Sequence, residues 1–453
     1  MTPLEYLAAH QDRSLAELVE FARIPSVSAD PKHRADIAAA SEWVAARLRE
    51  AGPVDVRCMP TAGNPVVYGE WLGAPGRPTL LVYGHYDVQP AEPLEKWLSE
   101  PFQPEVRDGR LYGRGVSDNK GPLLIPIKVA QAFFATRGAL PLNVKFLFEG
   151  EEEIGSRSLA PFIAANAQLL KADCVLSADG AMWRNDEPSI TIASRGVMAL
   201  EFSVRGADRN LHSGRYGGSV PNALHALAEV IASLHAPSGR VAVDGFYDDI
   251  NPPSEQERRE IASLPFDEAR FLADVGAQAL VGESGYSTLE RQWIRPTLEV
   301  NGMWGGYQGQ GSQTVTPNDA HAKISCRLVP DQRPDAIRAL VIRHLETHLP
   351  SGVSLSVNSL SHGALPYRIP SDHPGLATAA RVLEEIYRSA PLRVRMGSTL
   401  PVSEIFKGAL GIDTVFFSFS TADEGFHAPN EFFRLSRLHE GSRAWARYWE
   451  EYR

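Results

Sequence analysis

Cysteine is scarce in this chain: Cys58, Cys174 and Cys326 are the only three in 453 residues. They lie far apart and none falls in a Cys-x-x-Cys pair. That argues against a disulfide framework or a thiolate metal site and favours buried thiols in a reducing compartment. Long apolar runs are also lacking. No stretch reaches membrane-spanning length, and Met1 to Glu20 carries acidic residues where a signal peptide would have its apolar stretch. Basic charge is not in excess. A formal net charge of −10 excludes the basic face that nucleic acid would need. No internal repeat and no low-complexity tract is visible. The glycine-rich stretch Gly302 to Gly311 lacks Gly-Lys-Ser/Thr and does not run straight into a helix, so it reads as a surface loop rather than a phosphate cradle. These absences predict a soluble cytoplasmic protein with neither a membrane nor a nucleic-acid partner.

The length exceeds what one core supports and predicts at least two domains. Leu4, Leu7, Leu15, Leu18, Val19 and Phe21 keep helical spacing up to Pro25, and a second helix carries Ile37, Trp43, Val44 and Leu48. Strands follow at Val54 to Cys58, Val66 to Trp71 and Thr79 to Gly84, the last apolar throughout, as a strand buried on both faces should be. A helix over Pro122 to Thr136, a strand over Leu142 to Phe148, a helix over Pro161 to Leu170 and a strand over Ala172 to Ser177 continue the alternation. The pattern predicts an α/β fold, a mostly parallel sheet with helices on both faces.

The pattern changes near Arg195. Strand Val197 to Val204, helix Pro221 to Leu234, a polar insertion from Pro237 to about Arg295, strands Thr297 to Val300 and Ala320 to Leu328, helix Pro334 to His348 and strand Val353 to Val357 give the order β-α-β-β-α-β. That is the ferredoxin-like plan. Strand Val415 to Phe419 and a helix over Glu431 to Tyr452 return to the first domain. The expected division is residues 1–194 with 363–453, interrupted by an inserted domain over 195–362, with joints near Ser194 and His362.

Five residues with metal-ligand chemistry stand at or near the ends of strand-like runs: His85, Asp118, Glu153, Asp179 and His427. Open α/β sheets carry their chemistry at the carboxyl ends of strands. Taken singly, His85 reads as a turn histidine, Asp118 as a helix cap, and Asp179 and His427 as ordinary loop residues. Glu149-Gly150-Glu151-Glu152-Glu153 resists so plain a reading, because carboxylates crowded at the end of a buried strand repel unless cations neutralise them. A metal-dependent hydrolase needs one carboxylate on the metal and a second, unligated one to take a proton, and adjacent glutamates supply both. His85-Tyr86-Asp87 supplies a ligand and a carboxylate to fix its tautomer.

These motifs resemble the co-catalytic, dizinc metallopeptidases that include carnosine dipeptidase and other cytosolic dipeptidases, acetylornithine deacetylase and succinyl-diaminopimelate desuccinylase. Gly84-His85-Tyr86-Asp87-Val88-Gln89-Pro90 is similar to the dipeptidase branch's histidine motif. Gly113 to Pro122 resembles its bridging-aspartate motif, Glu149 to Ser156 its base-plus-ligand motif, and Leu211-His212-Ser213-Gly214-Arg215-Tyr216-Gly217-Gly218 its lid motif. The resemblance covers essentially the whole chain in the same order. It implies a zinc-exopeptidase-like catalytic domain with an inserted lid and dimerisation domain. Asp118 would bridge two divalent metals, zinc by preference with manganese or cobalt acceptable, and the peptide bond after it would be cis. His85 and Asp179 would complete one metal, and Glu153 and His427 the other. Glu152 would be the general base for a water activated between the metals, and Asp87 would brace His85. His212, reaching the partner subunit of a homodimer, would bind the developing oxyanion. Arg327 would grip a substrate carboxylate, and Thr314 and Ser398 would hydrogen-bond substrate.

Tyr86, Asn119 and Ile154 depart from the branch pattern, which bears on substrate choice and removes no ligand. The expected activity is hydrolysis of peptide-like amides in small substrates with a free carboxylate, foremost dipeptides. Deacylation or desuccinylation of N-acyl amino acids by the same machinery is the alternative, and a catalytically silent binding protein of the same fold is a third reading.

Overall fold

The computed structural model describes residues 1–359 and 363–453, which separate into two compact units. The first comprises Met1–Ile192, Ile369–Val394 and Val402–Arg453; the second comprises Ala193–Arg368 and Arg395–Pro401. The joint expected near His362 lies outside the described residues. Arg395–Pro401, read from sequence as part of the first domain, groups with the second unit. Hydrogen bonds explain this: the Arg195 N–H is shared between the Met396 and Ser398 carbonyls, and Arg395 pairs with Glu257 at 2.9 Å.

The first unit is built on a six-stranded sheet in the order Asp55–Met59, Val66–Trp71, Asn143–Glu149, Thr79–His85, Cys174–Ser177, Thr414–Phe416. Its last four strands are mutually parallel, while the first two pair antiparallel, so the sheet is mixed with a parallel heart. The parallel strands are buried along almost their whole length, as strands covered on both faces must be. On one face Tyr68, Leu81, Tyr83, Leu147 and Val175 pack with Leu159, Phe162 and Phe406. On the other, helices Arg34–Ala51, Gly121–Arg137 and Leu435–Glu451 close the core, with Trp449 against Phe133 and Phe146.

The second unit holds a four-stranded antiparallel sheet in the order Thr297–Gly305, Asp319–Leu328, Gly196–Arg205, Ser354–Ser359. Helices Ala223–Ser233 and Pro334–Thr347 lie in the connections, which makes this the ferredoxin-like arrangement. Alternate residues Met198, Leu200, Phe202 and Val204 point into a core shared with Leu227, Val230, Val341 and Leu345.

Several local expectations change. The first helix is two, Pro3–Ala9 and Gln11–Ala22, separated at His10. The stretch Gly302 to Gly305 is strand rather than loop. It continues the edge strand past a bulge at Val300/Gly302, and Trp304 stacks on His321 of the neighbouring strand. The final helix starts at Leu435, because Phe432–Arg434 pairs as a short strand with Arg110–Tyr112.

Candidate metal centre and hydrolytic site

The parallel register brings the chemistry together. His85 ends its strand in register with Glu149, and Tyr83 is in register with Ser177, two residues before Asp179. Asp118 arrives from a turn that enters helix Gly121–Arg137. That turn passes through Gly115 at φ +79°, where a Cβ would lie 2.1 Å from a Val88 methyl, so no other residue fits. The peptide bond after Asp118 is cis. His427 arrives from the loop that follows the last parallel strand.

The five side chains form two groups that share Asp118: His85 with Asp118 and Asp179, and Asp118 with Glu153 and His427. The Nε2 of His85 lies 3.1 Å from Asp118 Oδ1 and 3.8 Å from Asp179 Oδ1. The Nε2 of His427 lies 3.1 Å from both Asp118 Oδ2 and Glu153 Oε2. Each oxygen of Asp118 therefore faces a different histidine.

Asp87 is fully buried and serves three partners. Its backbone carbonyl lies 3.1 Å from His85 Nδ1, with a carboxylate oxygen at 3.4 Å. Its carboxylate also accepts the Glu152 and Glu153 N–H groups at 3.3 and 3.1 Å. The acidic run divides its labour. Glu149 accepts hydrogen bonds from Tyr83 and Ser156, and Glu151 accepts the Asn64 and Ser158 N–H groups. Glu153 joins His427, and the Glu152 carboxylate accepts no hydrogen bond from the described residues.

The donor set fits divalent cations. Asp118, Glu152, Glu153 and Asp179 bring four carboxylates to two imidazoles in a largely buried space. Burial, reinforced by neighbouring carboxylates, pushes Glu152, Glu153 and Asp179 above the ordinary range, although His85 opposes this. Burial acts to lower His85, but its bonds to Asp118 and Asp87 hold it well above its usual value. Bonds to Asp118 and Glu153 push His427 up to about 10. Protons are drawn to this cluster because negative charge is in excess, and hard or borderline divalent ions with N and O ligands answer the same excess.

Sequence reasoning missed the residues that hold this geometry. Asn119, noted only as a departure, accepts the His85 N–H at 3.3 Å and donates to the Ala178 carbonyl at 3.2 Å, stitching together the strand ends that carry His85 and Asp179. Lys120, fully buried, donates to the Phe21 and Ile24 carbonyls. Glu431 stands four residues after His427 in a segment read as helix start, and nothing in the sequence marked it. The remaining predicted residues lie in the second unit. There His212 and Thr314 are neighbours, since His212 pairs with Val315 and the Ser213 N–H donates to the Thr314 carbonyl. Arg327 donates to Thr399 at 2.8 Å, beside Ser398.

The model for "Peptidase family M20/M25/M40" matches residues 81–451. The chain belongs to that family. Its full length is similar to human Beta-Ala-His dipeptidase, at 30% identity over 99% of this chain and 91% of the relative. It is also similar to the Cys-Gly metallodipeptidase dug1 of Schizosaccharomyces pombe, at 29% identity over 99% and 97%. Among solved structures of this M20 fold, human carnosine dipeptidase 1 superposes with a TM-score of 0.82 at 28% identity, covering 99% of this chain and 98% of that one. The metallo-carboxypeptidase Sso-CP2 of Sulfolobus solfataricus gives 0.84 at 30%, covering 97% and 99%.

Proposed function

We propose that this M20 peptidase hydrolyses dipeptides, with His85, Asp118 and Asp179 holding one divalent ion and Asp118, Glu153 and His427 a second. The observation that carries the reading is the sharing of Asp118 between two ligand groups beside the uncommitted Glu152 carboxylate. Zinc suits such histidine and carboxylate ligands. When bound, the ions supply Lewis acidity toward the scissile carbonyl and the attacking water. Glu152 takes the proton of that water and returns it to the leaving amine. Asp87 fixes the tautomer of His85 and the placement of Glu152 together, since it holds both. In the second unit, the planar fork of Arg327 suits a substrate carboxylate, and Thr314 and Ser398 offer hydroxyls to the substrate backbone. His212 contributes to the oxyanion site, in the active site of the partner within a homodimer. Three free thiols, two of them buried, accord with a cytoplasmic setting.

The deciding experiment is turnover on a panel after loading with Zn²⁺, Mn²⁺ or Co²⁺. The panel takes β-Ala-His and Cys-Gly, the dipeptides in the relatives' names, with other dipeptides, N-acetyl amino acids and N-succinyl amino acids. Dipeptide cleavage well above N-acyl cleavage is expected. Inactivity on every dipeptide with turnover of an N-acyl amino acid would transfer the assignment to a deacylase.

A further inference from the structure

The loops carrying Asp118 and His427 are tied together by one side chain. Glu431 is 0% exposed. Its Oε1 accepts the N–H groups of Ser117 and of Asp118 itself, at 3.0 and 3.1 Å. Its Oε2 accepts the Gly115 N–H at 2.9 Å and Arg114 Nη1 at 2.8 Å. Its backbone carbonyl accepts the Gly113 N–H at 3.0 Å. The backbone N–H groups of Gly113, Gly115, Ser117 and Asp118 are thus all addressed to one residue of the other loop. A second carboxylate of the same loop, Glu424, accepts the Ser117 hydroxyl and adds to the clamp.

We infer that Glu431 is a positioning residue that sets where the two oxygens of Asp118 stand relative to His427. The inference rests on the reading of Asp118 and His427 as ligands of the divalent ions. The physical reason is one of registry. Asp118 must place one oxygen toward His85 and the other toward His427, both at 3.1 Å. His85 sits on a strand and is fixed by the sheet. The Asp118 turn and the His427 loop are both irregular, and their relative placement depends on hydrogen bonds of this kind. A carboxylate can accept four N–H donors at once because it carries acceptors only. Glutamine at the same place would present an amide N–H₂ toward N–H groups or toward Arg114, and would push the turn away. Outer partners of this kind typically carry about 10- to 100-fold in metal affinity.

Charge balance is the competing account, because Arg114 is buried and the one described hydrogen bond of its guanidinium goes to Glu431. Two variants separate the possibilities. Glu431→Gln leaves Arg114 unpaired and is expected to lower Tm. The double variant Arg114→Met with Glu431→Gln removes the stranded cation and is expected to recover most of that loss. Zn²⁺ affinity of the chelator-treated full chain is then measured by competition with a chromophoric chelator, and kcat and KM on a cleaved dipeptide alongside it. If Glu431 positions Asp118, the double variant binds Zn²⁺ about 10- to 100-fold more weakly than wild type and loses kcat with KM little changed. If the folded double variant takes up Zn²⁺ with wild-type affinity, Glu431 only balances Arg114 and the inference is overturned. A wild-type chain that takes up no Zn²⁺ would instead overturn the ligand assignment, and this inference with it.

Discussion

Glu153 Oε2 and His427 Nε2 meet at 3.1 Å although one follows strand Asn143–Glu149 and the other lies in the loop after strand Thr414–Phe416. With Asp118 between them and Glu152 beside them, the cluster holds more negative charge than its histidines offset. Chelation of bound metal is therefore expected to destabilise the chain as well as inactivate it. A ligand present at about 1,000 times its Kd contributes roughly 4 kcal/mol to folding, and each kcal/mol moves Tm by ~2–4 °C in a domain of this size class. A loss on the order of 10 °C after chelation, reversed by Zn²⁺, is the expected scan. A Tm indifferent to chelator would mean that no such ions are held.

Burial first, then Asp179, Glu153 and Asp118 against the opposing His85, raises the proton affinity of Glu152, and no described hydrogen bond commits its carboxylate elsewhere. Glu152→Gln is expected to keep both metals, measured by elemental analysis, while kcat falls by about 10²- to 10⁴-fold, the usual contribution of a general base. Normal turnover by this variant would remove Glu152 from the mechanism.

Arg327 is half-buried and bonded to Thr399 through one guanidinium nitrogen. Lysine retains the charge but not the fork. If the fork holds the substrate carboxylate, Arg327→Lys raises KM by about 10- to 100-fold, since a charge-assisted hydrogen bond is worth ~1.5–3 kcal/mol. The metal content stays as in wild type. An unchanged KM would place the substrate carboxylate on another group.

The second unit has a pH liability of its own. His344 is 6% exposed, its Nε2 is 3.0 Å from Ser233 Oγ, and its ring stacks on His348 at 3.9 Å. Ser233 gives its proton to the Val230 carbonyl, so the imidazole Nε2–H donates to the Ser233 oxygen. Burial first, and then His348, hold its pKa below the usual value, against weaker opposition from Ser233 and Asp244. The unfolded chain therefore binds the proton more readily than the folded one. The stabilisation is complete above about pH 6.5 and is lost as pH falls through the depressed value. Tm should drop between pH 7 and pH 5, and His344→Gln should flatten that slope. An unaltered slope in the variant would assign the acid sensitivity elsewhere.

Much of the candidate site was open to a reader of the sequence because its candidate ligands follow apolar strands. A run such as Leu80-Leu81-Val82-Tyr83-Gly84-His85 announces both the buried strand and the residue at its end. The four glutamates after Phe148 were equally conspicuous, yet their separate duties were not. Whether Glu149 or Glu151 would join the site instead of bonding Tyr83 or Asn64 depends on which way each side chain leaves the strand end.

Composition, periodicity and motif order by themselves determined an α/β body and a β-α-β-β-α-β insertion, and they singled out five candidate ligands with a candidate base beside them. Those features follow from local spacing, which the chain carries in one dimension. Only tertiary structure decided that Asn119 joins the His85 and Asp179 strands, that the Asp87 carboxylate accepts the Glu152 and Glu153 N–H groups, and that Glu431 binds the Asp118 turn. Each of these is a hydrogen bond between segments remote along the chain. Its partner is set by how the sheet and loops pack, so nothing beside the residue in sequence could reveal it.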